Sequence, residues 1–100
     1  MPLRVTYWTQ SQYNQNLPGS PISTESITIS GTTAQSGVTP PNAVFVSLRN
    51  TETGDVTFIY NSANPTALAA GGADHGGIGT GERIWLDAKP AFKVAGITAL

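Results

Sequence analysis

The stretch Gly77–Leu100, GIGTGERIWLDAKPAFKVAGITAL, decides the fold class of this chain. It runs from a glycine-rich turn into a short strand, a proline turn and a second strand. Between Glu82 and Asp87, Ile84 and Leu86 fall on one face and Arg83, Trp85 and Asp87 on the other, which is the two-residue period of a strand. Phe92 and Val94 then share a face opposite Lys93, Ala95 and Ile97. Asp87 to Ala91 supplies the turn between the two runs, so the spacing predicts a closing hairpin against which the other strands pack.

Working outward, Ala43 to Arg49 and Asp55 to Asn61 form the clearest strand pair. Val44, Val46 and Leu48 make one stripe and Val56, Phe58 and Tyr60 another, while Asn50 to Gly54 reads as a hairpin loop with Gly54 suited to a positive φ. Phe45 and Ile59 lie on the opposite faces, so these strands are expected to be covered on both sides. Leu3, Val5 and Tyr7 alternate with Arg4, Thr6 and Trp8 in a first strand, and Ser26 to Ser30 gives a second, with Ile27 and Ile29 inward. Residues 9–25 show no period, hold Pro18 and Pro21, and read as an extended loop or arm. Residues 31–42, stiffened by Pro40 and Pro41, suit a crossing between sheets, and residues 61–81 hold six of the eleven glycines and read as a loop.

The expected fold is therefore one all-β domain over 1–100, a small antiparallel β-sandwich or jelly-roll-like barrel of about six strands with a long N-terminal loop or arm. The core is placed at Val5, Ile27, Ile29, Val44, Val46, Leu48, Val56, Phe58, Ile84, Leu86, Phe92 and Val94. A 100-residue chain without cysteines has neither disulfides nor a Cys/His zinc site to support a small core, which leaves oligomerisation as the common route. Five basic and six acidic residues are scattered singly, with no phosphate-tracking stripe, so nucleic acid is not an expected partner. No apolar run reaches the roughly 20 residues of a membrane helix, so no membrane partner is expected either. Met1 to Trp8 has no secretory pattern, and synthesis in the cytoplasm is expected. Only 11% of residues are charged, a composition suited to a surface covered by other subunits.

No catalytic constellation emerges. The glycine-rich loop is followed by Glu82 and a strand where a phosphate loop needs Gly-Lys-Ser/Thr and a helix. His75 is the single histidine, so only copies gathered around a symmetry axis would bring several together. Glu82 with Asp87, and Glu52 with Asp55, read as strand-end and turn acids, not as a glycosidase pair. No enzyme, cofactor or metal is expected. Trp8, Trp85, Tyr13 and Tyr60 raise a sugar-stacking reading, but Trp85 between Arg83 and Asp87 looks more like an interface edge.

The run Gly81-Glu82-Arg83-Ile84-Trp85-Leu86 followed by Phe92-Lys93-Val94-Ala95-Gly96 resembles the endings of small β-sandwich virion proteins of tailed bacteriophages, of the capsid-decorating and head-fibre type. The resemblance covers roughly Ala43 to Leu100. It implies a capsid decoration protein that forms a homo-oligomer, a trimer for preference, and binds the phage major capsid protein on the outer surface of the virion. Contact with neighbours is placed on Tyr13, Leu17, Phe45, Ile59 and Trp85. The alternative reading is a host- or carbohydrate-binding module of a fibre or tail component.

Overall fold

The computed structural model describes residues 2–12, 16–62 and 65–99. Eight strands lie among them and no helix: β1 (Pro2–Gln10), β2 (Pro18–Thr28), β3 (Ala34–Gln35), β4 (Phe45–Asn50), β5 (Val56–Ser62), β6 (His75–Ile78), β7 (Arg83–Asp87) and β8 (Phe92–Thr98). They form two four-stranded antiparallel sheets, a front sheet in the order β2-β1-β4-β7 and a back sheet in the order β3-β8-β5-β6. The expected β-sandwich is thus the observed architecture, with eight strands in place of about six. The additional two, β3 and β6, come from stretches that read as connections.

Two predicted hairpins are corners instead. β4 pairs with β1 and β7, β5 with β6 and β8, and β7 and β8 lie in different sheets. Residues 51–55 and 88–91 therefore each carry the chain from the front sheet to the back. The stripes Val46/Leu48 and Val56/Phe58 belong to opposite walls of one core, although they are consecutive in sequence. Gly54 is not in the left-handed region; among the described glycines Gly71 and Gly81 are, at φ 81° and 79°. The expected crossing over 31–42 is present, since β2 lies in front, β3 behind and β4 in front again.

Residues 18–25 of the expected arm are strand. β2 pairs with β1 from Pro2↔Thr28 to Gln10↔Pro18, with register shifts beside Trp8. The prolines are tolerated because β2 is an edge strand, where a missing N–H breaks no second ladder. The segment lacks a hydrophobic period because most of its side chains face solvent.

Leu3, Val5, Tyr7, Val46, Leu48, Val56, Ile78 and Val94 are the most deeply buried apolar side chains between the sheets, with Ile27 and Phe58 beside them. Ile29, Ile84 and Leu86 pack at the margin, and Phe92 is half-buried. Val44, placed in the core by its phase, precedes the start of β4 and is 38% exposed. Gly76 and Gly77 extend β6 into the glycine run. A Cβ on Gly76 would stand 2.7 Å from the Phe58 ring of the paired strand, so glycine is needed at position 76 for close packing.

Two polar clusters lock the sheets together. Buried Asn50 donates through Nδ2 to the carbonyls of Gly54 and Ile78, both at 2.9 Å, and its Oδ1 accepts from the Glu52 N–H at 2.8 Å. Its own backbone exchanges bonds with Gly81 and Glu82, so one amide holds both the 51–55 and 79–82 corners. Elsewhere, the Tyr7 hydroxyl donates to Glu25 at 2.8 Å, Glu25 accepts the Gly37 N–H at 2.9 Å, and Ser36 Oγ accepts the Val94 N–H at 3.0 Å.

Candidate binding face

The outward positions of the front sheet are set by its register. Arg4 stands opposite Arg49, and Arg49 opposite Arg83, so all three arginines of the chain form one row across β1, β4 and β7. Strands in a sheet lie about 4.8 Å apart, which spreads the row over roughly 10 Å. The three side chains are exposed. Among the described residues no carboxylate forms an ion pair with them. Like charges directly opposite across strands oppose sheet pairing, so the row is a cost that folding does not itself require.

The next row reads Thr24, Thr6, Ser47 and Trp85, with the Thr6 and Thr24 hydroxyls 3.1 Å apart. Beyond it stand Trp8, Phe45 and Asp87. Ser47 is short, and the indoles of Trp8 and Trp85 meet across β4 with ring centroids 5.4 Å apart and planes tilted by 52°. The Trp8 Nε1–H donates to Ser47 Oγ at 3.0 Å, which fixes that ring. Ser47 is buried beneath the pair although it faces outward, whereas Trp85 remains 44% exposed. The face therefore combines an anchored aromatic cluster, three guanidiniums and a single carboxylate, Asp87.

Of the residues expected at an interface, Phe45 and Trp85 come together on this face. Leu17 is exposed at the tip of the β1–β2 hairpin, where the Ser11 N–H bonds its carbonyl at 2.9 Å. Tyr13 lies outside the described residues. Ile59 is not a surface residue of the chain: it sits on the outer side of the back sheet with Ala95 and Ile97, beneath Ala67 and Ala69. Segment 65–69 is strapped over it by Gln35 Nε2 donating to the Pro65 carbonyl at 2.9 Å and by the Ala67 N–H donating to Thr33 Oγ1 at 3.0 Å. Among the described residues the chain thus covers the back face itself and leaves Trp85 and the arginine row of the front face exposed.

His75 completes that strap. Its Nε2 accepts the Leu68 N–H at 3.0 Å, and Nδ1, which then carries the proton, lies 2.9 Å from the Ala73 carbonyl. The lone pair of a ring in that tautomer is therefore engaged within the chain. Among the described residues no group of three or more His, Cys, Asp and Glu is placed to hold a metal. A cleft of about 490 Å³ opens between β6 and β7, with Tyr60, Phe92, Asp74, Asp87 and Lys89 on its walls. Its aromatic groups are already engaged: Tyr60 and Phe92 meet edge to face at 5.2 Å, the Lys89 ammonium lies 5.6 Å from the Phe92 centroid, and the Tyr60 hydroxyl accepts the Lys89 N–H.

The arginine row and the part played by Trp8 were missed in the sequence reading. The available signal was that Arg4, Arg49 and Arg83 each occupy an outward strand position; their alignment needed the register. Comparisons with protein-family models, with curated proteins and with solved structures find nothing that matches this chain.

Proposed function

We propose that this protein works by binding and not by chemistry, as a structural module whose front face docks on another protein. The observation that carries the reading is the Trp8–Trp85 pair, set on the front sheet beside three arginines that no carboxylate pairs with among the described residues. Tryptophan and arginine are the residues that most often dominate interface energetics, and an anchor already held by packing loses little entropy when it binds. Taken with the resemblance of residues 43–100 to small virion β-sandwiches, the specific reading is a phage capsid decoration protein that attaches as a homo-oligomer to the outer surface of the assembled head. Such a protein stabilises the shell by mass action, about 2.7 kcal/mol per site at a hundredfold excess over Kd. Face-to-face self-association of the front sheet would oppose two arginine rows, so self-contacts are assigned to the hairpin tip around Leu17.

Light scattering on the purified chain, followed by co-sedimentation with empty shells, tests this reading. The expected result is an oligomer that pellets with shells, and a Trp85→Ala variant that folds normally but stays in the supernatant. A wild-type chain that ignores shells and binds immobilised glycans would replace it with the carbohydrate-binding alternative. The docking reading is preferred over that one because the Tyr60 and Phe92 rings in the β6–β7 cleft already meet each other and the Lys89 ammonium.

A further inference from the structure

We propose that the occupant of the front face is an acidic segment of the partner protein, whose carboxylates engage Arg4, Arg49 and Arg83 while an apolar side chain seats on Trp85. This inference rests on the docking reading above and adds to it the chemistry of the partner. Three guanidiniums are held side by side by the ladder pairs Arg4↔Arg49 and Arg49↔Arg83, and none is neutralised by a carboxylate among the described residues. Each presents a planar fork of donors that matches a carboxylate in two parallel hydrogen bonds, a geometry that a lysine row would not offer. Their cross-strand spacing of about 4.8 Å is within reach of successive acidic side chains on an extended segment laid across the sheet. Trp85, one row away and 44% exposed, supplies the adjoining apolar contact.

Charge decides between the classes of occupant. The chain as a whole carries a net charge of −1, so the row is a local positive site on an otherwise acidic molecule. Three phosphate contacts give only about a third to a half of the six to ten that make nucleic-acid binding strong and steeply salt-dependent. A second copy of this chain is also a poor source of the acid. Its Glu25 already accepts from Tyr7 and the Gly37 N–H and its Glu82 from the Gly79 N–H, while its exposed Asp55, Asp74 and Asp87 stand singly in the sequence, so no segment of it presents successive carboxylates. A separate protein with an acidic, partly apolar segment fits both halves of the face.

The test is a titration of the full chain with an oligoglutamate peptide, followed by the fluorescence of Trp8 and Trp85 and repeated at low and high salt. Saturable binding is expected, with Kd about tenfold weaker for Arg49→Gln or Arg83→Gln and weaker again when salt screens the row. Both side chains are exposed and oppose like charges across the ladder, so both variants are expected to keep the wild-type circular dichroism and a thermal midpoint no lower than wild type. Failure of the wild type to bind at low salt overturns the inference, as does binding unchanged in both variants. Tighter binding of an oligothymidylate overturns it in favour of nucleic acid, and an oligomer that dissociates in Arg49→Gln overturns it in favour of a second copy. Shell co-sedimentation separates this inference from the docking reading. If Trp85→Ala abolishes attachment and neither arginine variant weakens it, the acidic partner is refuted and the face stands; if none of the three variants matters, the face itself is refuted.

Discussion

Replacing Asn50 with alanine tests how the sandwich is closed. Asn50 is fully buried, and its side chain makes three hydrogen bonds that alanine cannot replace. The bond to the Ile78 carbonyl is buried, so that oxygen loses its side-chain donor where water has little access, a cost of about 1–3 kcal/mol. The Gly54 carbonyl and the Glu52 N–H lie in partly buried surroundings, and each loss is worth about 0.5–1.5 kcal/mol. Together these place Asn50→Ala at roughly 2–6 kcal/mol, a fall in Tm of at least about 8 °C for a domain of this size. Urea unfolding at fixed pH measures it, with an unchanged slope showing that the cost lies in the folded state. Asn50→Asp keeps the shape but removes both donors, so it is expected to be at least as destabilising at neutral pH. It should recover part of the loss as pH falls, because a protonated carboxyl can again donate to one carbonyl. A loss below about 1 kcal/mol for Asn50→Ala, with the slope unchanged, would refute the claim that this amide holds the two corners.

Two further expectations follow from the core. Burial, and to a smaller extent the bond to Glu25, pushes the Tyr7 phenol well above the ordinary tyrosine range, against an opposing effect of Ser36. The unfolded chain releases that proton near pH 10 while the folded chain retains it, so Tyr7 contributes stability that is complete below pH 10 and falls at about 1.4 kcal/mol per pH unit above it. Tyr7→Phe should remove this alkaline slope and cost about 1.5–3 kcal/mol at neutral pH, both read from urea midpoints across the alkaline range. Adjacent glycines give an internally controlled pair: a Cβ on Gly76 meets the Phe58 ring at 2.7 Å, and one on Gly77 meets nothing within 4 Å. Gly76→Ala should lose about 1–3 kcal/mol and Gly77→Ala should be neutral or gain up to about 1 kcal/mol; equal effects of the two would contradict the packing described here.

The open front face and the self-covered back face have a common physical origin. A two-layer sandwich buries one side of each sheet, and the other sides must face water, more chain or a partner. On the back sheet, Ile59, Ala95 and Ile97 are covered by segment 65–69, which the hydrogen bonds from Thr33, Gln35 and His75 hold in place. Among the described residues the front sheet has no such segment over Trp85, and its outward side carries charge instead of small apolar residues. That asymmetry is why the docking reading is assigned to the front sheet.

For β1, β4, β5, β7 and β8, which side faces inward was legible from local pattern alone. Val5, Val46, Leu48, Val56, Phe58 and Val94 were legible as core because a strand places alternate residues on opposite faces, a local property of the backbone. The outward positions of Arg83, Trp85 and Phe45 were legible for the same reason. Alternation has no information about which strand lies beside which, so β4 with β5 and β7 with β8 read as hairpins when they are opposite walls of the core. The edge strand β2 was hidden because solvent covers most of its length and leaves no period to detect. That Arg4, Arg49 and Arg83, far apart along the chain and singly placed within it, stand in one row beside a tryptophan pair emerges from strand pairing alone. That row is fixed by the register between β1, β4 and β7, and register between distant strands is set by the packing of their buried faces, which no local pattern encodes.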